Sequence, residues 1–186
     1  MSEHASPPKL DIKHAGQASM QLAGHDMLLN YERLILETEG LGTENVLNWS
    51  ARFELQPGQA DQPQVCLYLG VDVSLPLTCQ RCLTAVDIPV QIDRSYRFVD
   101  TEAQAELEDD ESLEDLLVSS REFDLQALIE DEVLMDLPVV PRHDTCPVAI
   151  KLAAVDADFE DVPANPNPFA VLAGLKNPEK KGCDSE

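Results

Sequence analysis

The chain has 186 residues, 44% of them hydrophobic and only 5% aromatic, and its 35 acidic side chains against 13 basic ones give a net charge of −22. That length suits one domain with tails and a sizeable core. Such a charge repels nucleic-acid phosphates over most of a surface and makes basic proteins the natural partners, while simple solubility is an equally good account of it.

The start, Met1-Ser-Glu-His-Ala-Ser-Pro-Pro-Lys9, lacks the charged-then-apolar pattern of a signal peptide. No run approaches the roughly 20 apolar residues that span a bilayer. A cytoplasmic protein without membrane contact is therefore expected. The five cysteines at 66, 79, 82, 146 and 183 do not make a disulfide framework, and in a reducing compartment a close pair is metal-binding, catalytic or idle.

Residues 1–10 read as a disordered lead to a single α+β domain over 11–152. Asp11–Ala18 suits a short helix, and Met27–Leu36 a second one. In Leu47–Leu55 the odd positions are Leu47, Trp49, Ala51, Phe53 and Leu55, with Asn48, Ser50, Arg52 and Glu54 between them. This alternation predicts a strand with one wet face. Val65 to Leu77 again places an apolar residue at every odd position. From Val86 to Phe98 the even positions take over, with Arg94 as the exception. Pairing Leu77 with Val86 sets Val65 opposite Phe98 and keeps one face apolar, among other registers of the same parity. The expected fold is an antiparallel β-meander of three or more strands, its buried face covered by a few helices.

Residues 100–115 are acidic and read as a mobile loop. Asp124 then suits an N-cap for a helix whose inner side is Leu125, Leu128, Ile129 and Val133, ended by Pro138. Its outer side is expected to carry Glu130, Asp131, Glu132 and Asp136. From Asp100 to Asp136 fifteen acids face one base, Arg121. Residues 153–168 read as a disordered linker and 169–186 as a tail. Its apolar island, Phe169–Leu175, is expected to dock on a surface, its own or a partner's, ahead of Lys176, Lys180 and Lys181. There is no internal repeat.

Cys79-Gln80-Arg81-Cys82 falls at the predicted hairpin tip. Zinc takes four nitrogen or sulfur ligands, two of them commonly from one C-x-x-C turn. Cys146 is the best third ligand and His143 the fourth, giving a Cys3His set, with Arg81 placed to favour thiolates. The plainer alternative is two reduced thiols in a tight turn. Thiol redox catalysis ordinarily starts at a helix N-terminus, whereas here Leu83-Thr-Ala leads into a strand. Cys66 has polar-face parity and Cys183 lies in the tail, so both read as bystanders. His4, His14 and His25 read as surface residues. Gly40-Leu-Gly42 lacks the motif and setting of a phosphate loop. With no recognisable nucleophile and partner, no enzyme is expected.

Together, Cys79-Gln-Arg-Cys82-Leu83, Phe123–Glu132 leading to Leu137-Pro-Val-Val-Pro141, His143, Cys146 and Asn167–Lys176 resemble the YceD family of bacterial large ribosomal RNA subunit accumulation proteins. The resemblance covers roughly residues 10–176. It implies a role in synthesis, processing or stability of large-subunit (23S) ribosomal RNA, without enzymatic activity. Family genes often neighbour that of a small basic protein of the large subunit. Many relatives carry more cysteines after the P-x-x-P, which suggests a metal site; this chain keeps Cys146 there, with His143 nearby. Combined with the charge, the expected partner is a basic ribosomal or assembly protein, with ribosomal RNA approached indirectly. The expected docking residues are Asp109, Asp110, Glu111, Glu114, Glu130 and Asp131, with Phe169 and Leu172 in the tail. The alternative is a metal-binding or thiol-redox protein that uses Cys79 and Cys82.

Overall fold

A computed structural model of the chain describes residues 6–58, 63–109, 112, 114–149 and 169. By its contacts the chain divides into Met1–Ile150 and Lys151–Glu186. The linker read over 153–168, Leu172 and Cys183 lie outside the described residues.

The first element, β1, is Lys9–Leu10, so the lead read as disordered is ordered at its end. Asp11 then accepts the backbone N–H of His14 at 3.1 Å and caps α1, Ile12–Gln17, where a helix was expected. The helix expected over Met27–Leu36 is corrected. Gln21–Met27 is a strand, β2; Leu28–Asn30 is one 3₁₀ turn; and α2 is Glu32–Glu37. Buried Asp26 fixes the change of direction by accepting from the Met27 N–H at 2.8 Å, the Ser6 hydroxyl at 2.7 Å and the Asn30 amide.

The alternating runs form β3 (Val46–Pro57), β4 (Pro63–Thr78) and β5 (Ala85–Val99). Leu77 pairs with Val86 as expected, and the ladder runs to Cys66 opposite Arg97. Beyond this meander, β2 adds to β3 from Gln21↔Arg52 to Met27↔Val46. The acidic stretch is also corrected. Residues 102–108 form a helix, α3, capped by Thr101, and Asp115–Val118 form β6, parallel to β5. The sheet order is β2-β3-β4-β5-β6. A two-residue strand, β7 (Phe123–Asp124), pairs with β1 and leads into α4, Leu125–Asp136, capped by Asp124.

Odd residues of β3 and β4, even residues of β5, α1, α2 and α4 share one core. Each fully buried Leu or Phe in it contributes roughly 1.5–3 kcal/mol. Glu132, expected on the outer side of α4, is buried. It occupies the same helical arc as Leu125, Leu128, Ile129 and Val133, and Arg94 reaches it with Nε 3.1 Å from Oε2. The Arg94 exception in β5 is therefore one half of an ion pair at the core margin. Cys66 is likewise buried rather than on a wet face. Arg97, Glu54 and Glu114 surround it, and burial pushes its thiol pKa up.

Candidate metal centre and acidic flank

The hairpin tip is a closed turn. The Cys79 N–H donates to the Thr84 carbonyl at 2.9 Å, and the Leu83 N–H donates to the Cys79 carbonyl at 2.8 Å. Closing it this tightly puts Leu83 in the left-handed region, φ +58°. The segment after α4 docks on this turn because the Gln80 N–H donates to the Pro141 carbonyl at 2.8 Å. Arg81 reinforces the join, donating from Nε to Cys146 Sγ at 3.1 Å and from Nη2 to the carbonyls of His143 at 2.5 Å and Asp144 at 3.2 Å.

The result is that Cys79, Cys82, His143 and Cys146 present their ligand atoms within 4.8 Å of one another. His143 Nδ1 lies 3.4 Å from Cys82 Sγ, and the His143 backbone N–H donates to Cys79 Sγ at 3.4 Å. In a tetrahedral zinc site, Zn–S near 2.3 Å and Zn–N near 2.0 Å put sulfurs roughly 3.8 Å apart and sulfur and nitrogen roughly 3.5 Å apart. The residues present fit that ion. Cys79 is fully buried and the other three are half-buried.

Electrostatics point the same way. Burial alone pushes the Cys79 thiol up, but N–H groups of His143, Arg81 and Cys82, with the His143 ring, outweigh it and bring the pKa down to about 5. The Thr84 hydroxyl lowers Cys82. Its hydrogen bond to Cys79 raises His143, and burial raises Cys146. Two of three thiols thus favour the thiolate, the form that binds metal.

Several of the acids expected to meet a partner also make ion pairs within the chain. Glu130 and Asp131 on α4 are held by Arg33, whose Nε and Nη1 stand 2.9 and 2.5 Å from their carboxylates. Glu114 lies 4.0 Å from Arg97, which also pairs with Glu108 at 2.6 Å. Asp109 is exposed beside α3, whereas Asp110 and Glu111 lie outside the described residues. Phe169 is exposed in the second unit. Among the described residues no helix is long and apolar enough to cross a membrane. Arg33 escaped sequence reasoning because its partners stand 97 and 98 residues away.

The model of the family described as large ribosomal RNA subunit accumulation protein YceD matches residues 67–176. The chain belongs to the YceD family. All four candidate ligands and the Phe169–Leu175 island fall inside the matched stretch. A relative named large ribosomal RNA subunit accumulation protein YceD, from Haemophilus influenzae, is 34% identical over 111 residues, which are 57% of this chain and 62% of that protein. The alignment thus spans a little under two thirds of the relative's length. No solved structure matches the chain.

Proposed function

We propose that this YceD-family protein supports the accumulation of large-subunit (23S) ribosomal RNA in the cytoplasm as a binding protein without enzymatic activity. Its partner is a basic ribosomal or ribosome-assembly protein, and it meets the RNA indirectly. Family membership over residues 67–176 carries the reading. The net charge of −22 adds the preference for a basic partner over bare RNA. A zinc ion held by Cys79, Cys82, His143 and Cys146 has a structural role here, tying the β4–β5 tip to the segment after α4. Of the described acids expected to meet a partner, Asp109 makes no ion pair among the described residues, whereas Glu114, Glu130 and Asp131 also meet Arg97 and Arg33.

The test is removal of the gene, followed by measurement of the ratio of 23S to 16S ribosomal RNA, with rescue by the intact chain. A lower ratio restored by the intact chain is expected, and an unchanged ratio refutes the reading. A thiol-redox role has one observation in its favour, the low pKa of Cys79. The full burial of that sulfur opposes it, because exchange needs in-line access. Turnover of a small disulfide by the metal-free protein, lost in Cys79→Ser, would reverse the preference.

A further inference from the structure

Arg81 carries a charge that no carboxylate answers. Arg33, Arg52, Arg94 and Arg97 all pair with acidic side chains, whereas Arg81 is in no ion pair among the described residues. Its guanidinium reaches a sulfur and two backbone carbonyls instead. Nε donates to Cys146 Sγ at 3.1 Å, and Nη2 donates to the carbonyls of His143 at 2.5 Å and Asp144 at 3.2 Å. Arg81 is an exposed residue, and fixing so long a side chain costs rotamer freedom. A neutral thiol is a weak acceptor, and a guanidinium gains far more from an ionised one. In a chain with 35 acidic side chains, a cation held on a sulfur is placed for an anion that the cysteine cluster itself supplies.

The donor set names that anion. Three thiolates and a neutral imidazole around a divalent ion leave one negative charge over, which one guanidinium balances. The other two sulfurs have donors of their own. The His143 backbone N–H donates to Cys79 Sγ at 3.4 Å, and the Thr84 hydroxyl lies 3.2 Å from Cys82 Sγ. Arg81 thus completes an outer shell in which each sulfur has its own partner, and such shells fix ligand orientation and metal affinity. It lies between Cys79 and Cys82 in the turn and reaches Cys146, 65 residues further on, so one side chain joins the two segments that form the cluster. We propose that Arg81 is the positioning residue of this centre, holding the Cys146 sulfur in place and balancing the single negative charge left when the cluster binds a divalent ion of the zinc class. This rests on the metal reading proposed above and adds to it a residue that is not itself a ligand.

Arg81→Met tests it in the full-length protein. Arg81→Lys separates the charge from the forked grip, and Thr84→Val removes a neutral donor to sulfur instead. Each protein is stripped with a chelator, and its melting temperature is recorded with and without zinc. Zinc affinity is read by competition with a chromophoric chelator, and cobalt(II) reports the sulfur ligands through its thiolate charge-transfer band. The proposal expects Arg81→Met to bind zinc roughly 10–100-fold more weakly, the range for loss of an outer-shell partner. Its cobalt band should keep its intensity and move to lower energy, because a sulfur relieved of a hydrogen bond gives up charge more readily. Arg81→Lys should recover part of the affinity, and Thr84→Val should lose less than Arg81→Met, since its bond comes from a neutral donor. Unchanged zinc affinity in Arg81→Met overturns the proposal and leaves the metal centre standing. So does a melting temperature that falls equally with and without zinc, which makes Arg81 a structural tie alone. Arg81→Lys no tighter than Arg81→Met, or Thr84→Val as weak as Arg81→Met, removes the role of charge and overturns it too. A wild type that binds neither zinc nor cobalt stoichiometrically overturns the metal centre and this proposal together.

Discussion

Arg94 and Glu132 permit a test in which the two halves of one contact have unequal effects. The Glu132 side chain is 9% exposed and that of Arg94 39%, with 3.1 Å between Nε and Oε2. Replacing Arg94 with Met leaves a buried carboxylate without its cation beside the Tyr96 phenol, whose pKa burial and Glu132 already raise. Breaking a fully buried pair costs about 3–5 kcal/mol, so the partial exposure of Arg94 brings the expectation to about 2–3 kcal/mol. Replacing Glu132 with Leu costs less, because Arg94 can turn to Asp115, now 3.8 Å away, or to water. The double variant leaves neither charge and, on the behaviour of buried pairs replaced by apolar groups, should lie within about 1 kcal/mol of wild type. Urea denaturation of the four proteins measures the cycle. With slopes of about 1–3 kcal/mol/M, the Arg94→Met midpoint should fall by roughly 1–2 M, and the double variant should recover most of that. Equal single losses that add in the double variant would refute the coupling, because independent sites add and contacting ones do not.

Gly16 sits in α1 where an added Cβ would stand 2.6 and 2.9 Å from the two Cγ atoms of Val65 and 3.2 Å from its Cβ. Gly16→Ala gains about 1 kcal/mol of helix propensity but overpacks a stiff β-branched neighbour at about 1–3 kcal/mol, so a net loss on thermal unfolding is expected and a gain would refute it. Arg97 and Gln104 hold the Glu108 pKa below its ordinary value. The stability from that contact is present above the ordinary carboxylate range and is lost as pH falls through the lowered value. Arg97→Gln should therefore flatten the acid limb of the stability–pH curve, and an unchanged limb would contradict the assignment. Cys146→Ser should bind cobalt(II) more weakly and with a reduced thiolate charge-transfer band, while the far-ultraviolet dichroism keeps its native shape. An unaltered cobalt spectrum would remove Cys146 from the ligand set.

The meander was legible because β3, β4 and β5 each bury one face, which writes a period of two into the sequence. α3 was not, since none of its residues is buried and a helix without an apolar stripe leaves no periodic trace. β2 was missed for a related reason. Gln21–Met27 buries Asp26 rather than an apolar set, and its pairing with β3 is settled in three dimensions. The cysteine cluster was readable from the C-x-x-C turn and from the short spacing of His143 and Cys146. The Arg94–Glu132 pair had left two marks, a charged residue in an apolar alternation and an acid on a helix's apolar arc. Read separately, each looked like noise. Read together, they were complementary.

The acidic excess has a part in the fold that composition alone conceals. Between Asp100 and Asp136, eight of the fifteen acids meet a base that comes from before residue 100. Asp100 meets Lys13, Asp124 meets Lys9, Glu108 and Glu114 meet Arg97, Asp115 and Glu132 meet Arg94, and Glu130 and Asp131 meet Arg33. Single exposed pairs contribute about 0–1 kcal/mol. Their consistent direction nevertheless fixes α3, β6 and α4 against strands and helices formed earlier in the chain. It also occupies five of the chain's thirteen basic side chains. Among the described residues of this stretch, Glu102, Glu106, Asp109, Glu122 and Asp136 remain in no ion pair. Such a set of charges speeds the approach of a basic partner without fixing where it binds.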